Sequence, residues 1–169
     1  NTGQTNITAE MPPLLIGKDE MNLAEFPLTR LGTRDQREVL SYEGWVMDAR
    51  KRPYRHVWTV RGASGLGLPN EFGDRVILAL IALTFKQNPL TPRVNFSRYQ
   101  LLRFMGLTNL GRKDYRQLEK TLLQMVGMTI ESERAFFDKS SDRRLVSKKA
   151  FHLLSKLWIR KQEAQGFEP

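Results

Sequence analysis

The segment Gly111-Arg-Lys-Asp-Tyr-Arg-Gln-Leu-Glu-Lys-Thr-Leu-Leu-Gln-Met125 presents two stripes of different chemistry when it is placed on a helix. Its apolar residues recur at i, i+3, i+7 and i+10, which is the spacing of one helical face. These residues are Tyr115, Leu118, Leu122 and Met125. The opposite side carries Lys113, Arg116, Lys120 and Gln124. The pattern predicts a helix over residues 111–125 with one face in a core, and by itself it is equally typical of a solvated amphipathic helix.

The residues before this segment predict two further helices and a short strand. Asn70 is a favourable N-cap, and the helix after it continues to about Gln87. That helix is apolar nearly all round, which is typical of a buried central helix. Residues 93–96 are predicted as a strand. Ser97, followed three residues later by Gln100, forms a capping box that begins a second helix, which ends at Gly106.

The residues after Met125 predict a basic β-hairpin. Residues 128–137 alternate and contain β-branched side chains, a turn-rich stretch follows, and residues 145–154 supply the second arm. From Lys139 to Lys161 there are eight lysines and arginines against one acid, which gives a net charge of +7. Helix, strand, helix, turn, helix and hairpin is the order of a winged helix. We therefore predict an α+β fold, a three-helix helix-turn-helix core with a C-terminal β-hairpin wing at residues 128–161.

The N-terminal part of the chain is predicted as an extension of this single domain, which spans residues 21–169. Residues 1–20 are polar and are expected to form a flexible tail. Residues 39–46 and 54–60 are rich in aromatic and β-branched side chains and predict a hairpin with a basic tip, within a β extension over residues 21–69. We expect Trp45 and Trp58 to pack together or under the helices. Because the chain begins at Asn1 and not at methionine, we expect a fragment of a longer protein.

Composition limits the classes of function. The formal net charge of +9 favours a polyanionic partner, and nucleic acid is preferred over membrane. The longest apolar run, residues 76–85, is far shorter than the roughly 20 residues of a spanning helix. There is no signal-peptide pattern, so we expect a cytoplasmic protein without a membrane partner.

Catalytic and cofactor chemistry is not expected. The absence of cysteine removes disulfides and thiolate sites, and His56 and His152 are too far apart in sequence to suggest a metal site. Two glycine-containing loops, at residues 62–69 and 106–113, lack the Lys-Ser/Thr pair of a nucleotide-binding loop. The carboxylates are scattered and no nucleophile has a base nearby. We predict a protein that is not an enzyme and has no cofactor, metal or small-molecule substrate.

The basic helix and the basic hairpin together predict a surface that binds double-stranded DNA. Arginine makes bidentate contacts to guanine edges, while lysine and glutamine reach phosphates or adenine. The residues predicted to contact DNA lie on the second helix, the turn, the third helix and the hairpin: Arg98, Asn109, Arg112, Lys113, Arg116, Gln117, Lys120, Lys139, Arg143, Arg144, Lys148 and Lys149.

Six short phrases, in this order and spacing, resemble the bacterial plasmid replication initiator protein A family. They are Glu20-Met-Asn-Leu-Ala-Glu-Phe-Pro-Leu28, Val57-Trp-Thr-Val-Arg-Gly62, Gly67-Leu-Pro69, Phe96-Ser-Arg-Tyr-Gln-Leu-Leu102, Tyr115-Arg-Gln-Leu-Glu119 and Lys149-Ala-Phe-His-Leu153. The resemblance implies an N-terminal winged-helix part of an initiator that recognises repeats at a replication origin, with a second domain beyond Pro169. It also implies host replication proteins as partners, and a homodimer is left open.

Two other functions fit the same residues. A winged-helix transcription repressor would have the same chemistry at the DNA surface, although it needs an effector pocket or a strong dimer helix, and the sequence shows neither. Sequence-neutral binding of single-stranded DNA would require exposed aromatic platforms at Trp45, Trp58 and Phe136.

Overall fold

A computed structural model of the chain describes residues 5–11, 28–30, 37–47, 51, 53–87, 89, 91–133 and 148–161. These residues form three helices and seven strands. In chain order they are β1 (Thr5–Glu10), β2 (Val39–Met47), β3 (Pro53–Arg61), α1 (Glu71–Phe85), β4 (Arg93–Ser97), α2 (Arg98–Phe104), α3 (Arg112–Gly127), β5 (Thr129–Glu133), β6 (Lys148–His152) and β7 (Lys156–Lys161). The strands pair into two antiparallel sheets, in the orders β4-β1-β7 and β2-β3-β5-β6.

The prediction of a three-helix winged helix is wrong. The described chain is α+β but rich in strands, with one sheet of three strands and one of four beside the three helices. Both predicted hairpins are present, β2 with β3 and β5 with β6. However, β3 also pairs with β5, from Val57 opposite Glu133 to Arg61 opposite Thr129, so the two hairpins form one continuous sheet. Neither hairpin is a separate extension or wing.

The three-stranded sheet was not predicted, because its central strand comes from the presumed tail. Thr5–Glu10 pairs with β4 on one side and with β7 on the other. Its side chains alternate, and Thr5, Ile7 and Ala9 are buried. The prediction of a flexible tail does not hold for these residues. A six-residue strand with only two apolar side chains gives almost no periodic signal, since its stability comes from partners distant in sequence.

The first two helices begin at the residues that the capping signals predict. The Asn70 side chain accepts a hydrogen bond from the Phe72 amide at 3.1 Å, and Ser97 with Gln100 forms the predicted capping box. Just after α2, Gly106 has a φ of 85°, a left-handed conformation that favours glycine. At the start of α3 the Asp114 carboxylate accepts a hydrogen bond from the Gly111 amide at 2.8 Å. These local contacts fix the helix starts.

The composition of α1 predicted a helix that is buried on every side, but only one of its faces is buried. One face, with Val76, Ile77 and Leu80, lies in the core. On the other face Leu78 is 66% exposed and Phe85 is 51% exposed. Within the described part of the chain no element is placed over this outer side. Helix α1 therefore has more apolar residues than the described core buries.

The core contains the apolar face of α3 as predicted. Leu118, Leu122 and Met125 are fully buried, while Tyr115 is only half-buried. Trp58 is also fully buried and meets the Phe151 ring edge-on, with centroids 6.3 Å apart.

The predicted packing of Trp45 is wrong, since its side chain is 71% exposed. Trp58 pairs with Tyr42 across the strands, and Trp45, an odd number of residues from Tyr42, points to the opposite face of the sheet.

No described helix is both long and apolar enough to cross a membrane.

A pair of substitutions on α3 tests the rotation of this helix. Leu118→Ala should lower the free energy of unfolding by about 2–5 kcal/mol because it leaves a cavity in the core. Lys120→Ala, two residues later and exposed, should change it by less than about 0.5 kcal/mol. Urea unfolding measures both. An unchanged Leu118→Ala protein, or an unfolded Lys120→Ala protein, would mean that α3 is rotated about its axis.

Candidate nucleic-acid interface

Four cations form a continuous exposed face on α3. Arg112, Lys113, Arg116 and Lys120 are all exposed, and at 100° per residue they fall within an arc of about 100°. We call these four residues the α3 cationic face. Arg112, Arg116 and Lys120 follow one another at intervals of four residues, so their side chains stand in one row along the helix. The structure thus places four of the predicted DNA-binding residues together.

The opposite side of α3 holds the helix in place. Leu118, Leu122 and Met125 are anchored in the core, and Gln124, between this side and the cationic face, adds a polar anchor. The Gln124 side-chain amide donates hydrogen bonds to the Leu66 carbonyl at 2.8 Å and to the Leu68 carbonyl at 3.3 Å. These contacts connect α3 to the segment that precedes α1.

Gln124 therefore does not belong to the cationic face, where its spacing placed it. Its side chain is buried by the turn after β3, in which Ala63 pairs with Gly67. On a helical wheel Gln124 lies at the border of the cationic arc. No local pattern indicates that a turn about 60 residues earlier in the chain covers this border.

The acid of α3 that lies beside the cationic face is already neutralised. The Glu119 carboxylate is 2.6 Å from an Arg98 guanidinium nitrogen and 3.6 Å from the Lys161 ammonium. The same guanidinium lies 5.0 Å from the centroid of the Tyr115 ring. Arg98, predicted to bind DNA, is thus engaged in joining α2 to α3 and is only 20% exposed.

The cations of the α3 face have no such partner. Among the described residues, no carboxylate lies within 4 Å of the charged groups of Arg112, Lys113, Arg116 or Lys120. Some other exposed cations of the described chain are paired, as Arg55 is with Glu43 and Arg93 with Glu10. The Glu43 carboxylate also raises the pKa of Arg55, first through its hydrogen bond. The α3 cationic face is therefore a cluster of positive charge that no described carboxylate compensates.

The remaining predicted residues fall into three groups. Asn109 is exposed in the turn before α3, and Gln117 is half-buried at the edge of the cationic face. Lys148 is exposed on β6, with its ammonium 3.8 Å from Glu131. Lys149 lies in β6, but its side chain is outside the description, and the whole of Lys139, Arg143 and Arg144 lies outside the described residues.

Strand β7 supplies cations that the list of predicted contacts omitted. Arg160 and Lys161 are exposed at the end of an edge strand, and Lys161 reaches Glu119 on α3. The charge count over residues 139–161 had included both, but no strand was predicted there. Predicting the position of these cations requires the pairing of β7 with β1, in which Thr5 lies opposite Lys161, and the sequence pattern does not contain that pairing.

The site offers positively charged donors and no described metal centre. In the part of the chain that the structure describes, no group of three or more His, Cys, Asp or Glu side chains is placed to hold a metal ion. His152 instead has its Nδ1 3.0 Å from the Met128 carbonyl oxygen.

No protein-family model, curated protein or solved structure matches this chain.

Substitution of Gln124 separates anchoring from binding. Gln124→Leu removes both donors, so the Leu66 and Leu68 carbonyls lose a buried partner, and the free energy of unfolding should fall by about 1–3 kcal/mol. Nucleic-acid affinity, measured by fluorescence anisotropy below the unfolding transition, should stay unchanged. Gln117→Leu, at the edge of the cationic face, is the matched control for stability. If the Gln124→Leu protein has normal stability and binds nucleic acid more weakly, Gln124 belongs to the binding face and the anchoring role is wrong.

Proposed function

We propose that this chain binds double-stranded DNA with sequence preference and that the α3 cationic face enters the major groove. The observation that carries this proposal is the row of exposed cations on α3 without described acidic partners. The face is mounted on a helix that is fixed by the core on its other side and by Gln124 at the border of the cationic arc. A rigid support of this kind suits a contact that must discriminate between bases.

The dimensions of α3 agree with groove binding. A helix with its side chains is about 10–12 Å wide, and the major groove is about 12 Å wide. Arg112 and Lys120 are eight residues apart, roughly 12 Å along the axis, which matches three to four base steps at about 3.4 Å each. Arg116 stands between them and is the side chain best placed for a bidentate contact to guanine. Lys113 and Lys120 lie toward one flank, where phosphates are nearest.

We propose a plasmid replication origin as the DNA that is recognised. This step depends on the resemblance of the six sequence phrases to the replication initiator protein A family. Host replication proteins are the further partners that such a role implies, and a cytoplasmic location is part of the same proposal. A repressor would use the same α3 surface, so footprinting next to the gene for this protein is the deciding experiment. Protection of repeats at an origin supports an initiator, and protection of a promoter operator supports a repressor.

One observation favours a second candidate, the binding of single-stranded DNA. Trp45 is exposed and available for stacking on a base, whereas Trp58 is fully buried and is not. Phe136 lies outside the described residues. Comparison of oligo-dT with a duplex of equal length, at one salt concentration, separates the two functions. Tighter binding of oligo-dT that is lost in Trp45→Ala would favour the second candidate.

The base-reading role of Arg116 leads to a specific expectation. Arg116→Ala should weaken binding to the preferred duplex by roughly 1–3 kcal/mol and relax the preference at one base position. Arg55→Ala removes the same charge from a residue that is paired with Glu43 and serves as the matched control. Equal losses in the two variants would show that net charge and not the α3 face determines binding.

The cations of β6 and of the segment before it are expected to contact phosphates. Neutralising Lys148, or any one of Arg143, Arg144 and Lys149, should weaken binding to all sequences alike. The slope of log K against log salt concentration should become shallower by about one unit. Lys86→Ala, directly after α1, is the control and should leave the slope unchanged. A loss confined to one DNA sequence would show that these residues read bases.

A further inference from the structure

The three-stranded sheet β4-β1-β7 has one side in the core and one side that carries polar, cationic and aromatic side chains. Ile7 lies opposite Phe96 in the pairing of β1 with β4, and both are buried in the core. Successive residues of a strand point to opposite sides of a sheet. The next row, in which Thr8 lies between Asn95 and Trp158, is therefore on the other side. We call this the exposed side of the three-stranded sheet.

Trp158 is the only apolar side chain that the described strands place on the exposed side. The Arg93 guanidinium lies 5.5 Å from the centroid of the Trp158 ring. Because β1 lies between β4 and β7 in the sheet, the two side chains meet across β1. The Arg93 guanidinium is also 2.8 Å from the Glu10 carboxylate. These contacts hold a half-buried indole ring in a fixed position at the surface.

Two further cations stand on either side of Trp158 along β7. Lys156 is two residues before it and Arg160 two residues after it, so all three share the exposed side. Glu10 lies opposite Lys156 in the pairing, but its carboxylate is held by Arg93. Among the described residues, no carboxylate lies within 4 Å of the charged group of Lys156 or Arg160. Positive charge without a described partner therefore flanks the ring and is complementary to a polyanion.

The remaining side chains of the exposed side are short and polar. The Thr8 hydroxyl donates a hydrogen bond to the Asn95 side-chain oxygen at 2.6 Å, which leaves the Asn95 amide nitrogen available as a donor. Asn6, in the row of Arg160, is exposed. Amide groups of this kind can donate to and accept from the edges of bases. Their small size leaves room above β1 for a flat group beside Trp158.

We infer that the exposed side of the three-stranded sheet binds single-stranded nucleic acid, with an unpaired base stacked on Trp158 and the flanking phosphates at Lys156 and Arg160. Single-strand sites combine cations that follow the backbone with aromatic rings on which bases stack. A duplex cannot bind in this way, because each base in it is already stacked between its neighbours. The site shares no residue with the α3 cationic face, so the inference does not rest on the proposed function.

Fluorescence anisotropy with labelled oligo-dT and oligo-rU tests the stacking contact. Strands of about 12 nucleotides are within the length of known single-strand sites. Trp158→Leu keeps an apolar side chain but removes the aromatic ring, so binding should weaken roughly 5- to 150-fold. Trp158→Phe restores a ring and should recover most of the affinity. Phe85→Ala, which removes an exposed ring from α1, is the matched control.

The two oligonucleotides and a duplex distinguish the possible outcomes. Binding of either strand with these responses supports the inference, and the tighter strand shows whether the site prefers DNA or RNA. Trp158→Leu should leave duplex affinity unchanged, so failure of the α3 proposal and failure of this site are separate results. A wild type that binds neither strand contradicts the inference, as does full affinity in a folded Trp158→Leu protein. Loss of binding in Trp45→Ala but not in Trp158→Leu would also overturn it.

The cations give a second test that does not depend on the ring. Lys156→Gln and Arg160→Gln should each make the slope of log K against log salt concentration shallower by about 0.7 unit for the tighter strand. Lys86→Gln removes a cation next to α1 and should leave the slope unchanged. Circular dichroism establishes that each variant is folded. A slope that is unchanged in both β7 variants would contradict the inference.

Discussion

The antiparallel pairing of β3 with β5 is the contact on which the arrangement of the described chain depends. It joins two hairpins that are far apart in sequence into one sheet. Because β5 begins at Thr129, two residues after α3 ends, the same pairing fixes the C-terminal end of the helix. The inner face of the sheet, with Trp58, Val60 and Ile130, contributes to the same core as the apolar face of α3. Pairing and burial therefore determine together where the α3 cations point.

The contacts that sequence predicts well are those made within about four residues. The caps at Asn70 and Ser97 and the 3.6-residue periodicity of α3 located helices correctly, since each signal is contained in one turn. The hairpin arms were also located. The pairing of β3 with β5 and the insertion of β1 between β4 and β7 were not, because hydrogen bonds between distant strands leave no local pattern. The error in fold class follows from these two pairings.

The candidate site shows the same division. Lys113, Arg116 and Lys120 were assigned to one face by periodicity, and they are exposed together with Arg112. Gln124 and Arg98 were assigned by residue type and spacing, and both have partners in the fold. Periodicity states which side of a helix a residue occupies. It does not state what another segment of the chain brings to that side.

A row of like charges lowers the stability of α3 in the free protein. Arg112, Arg116 and Lys120 follow at intervals of four residues, and each such like-charged pair destabilises a helix by a few tenths of a kcal/mol. Gln124, at the border of the cationic arc, fixes the orientation of α3 through the Leu66 and Leu68 carbonyls. In the proposed mode of binding, orientation and base contact are assigned to different side chains of one helix. The exposed positions are consequently open to substitution without loss of the scaffold, so that the charge pattern of this face can change by exchange of surface residues alone.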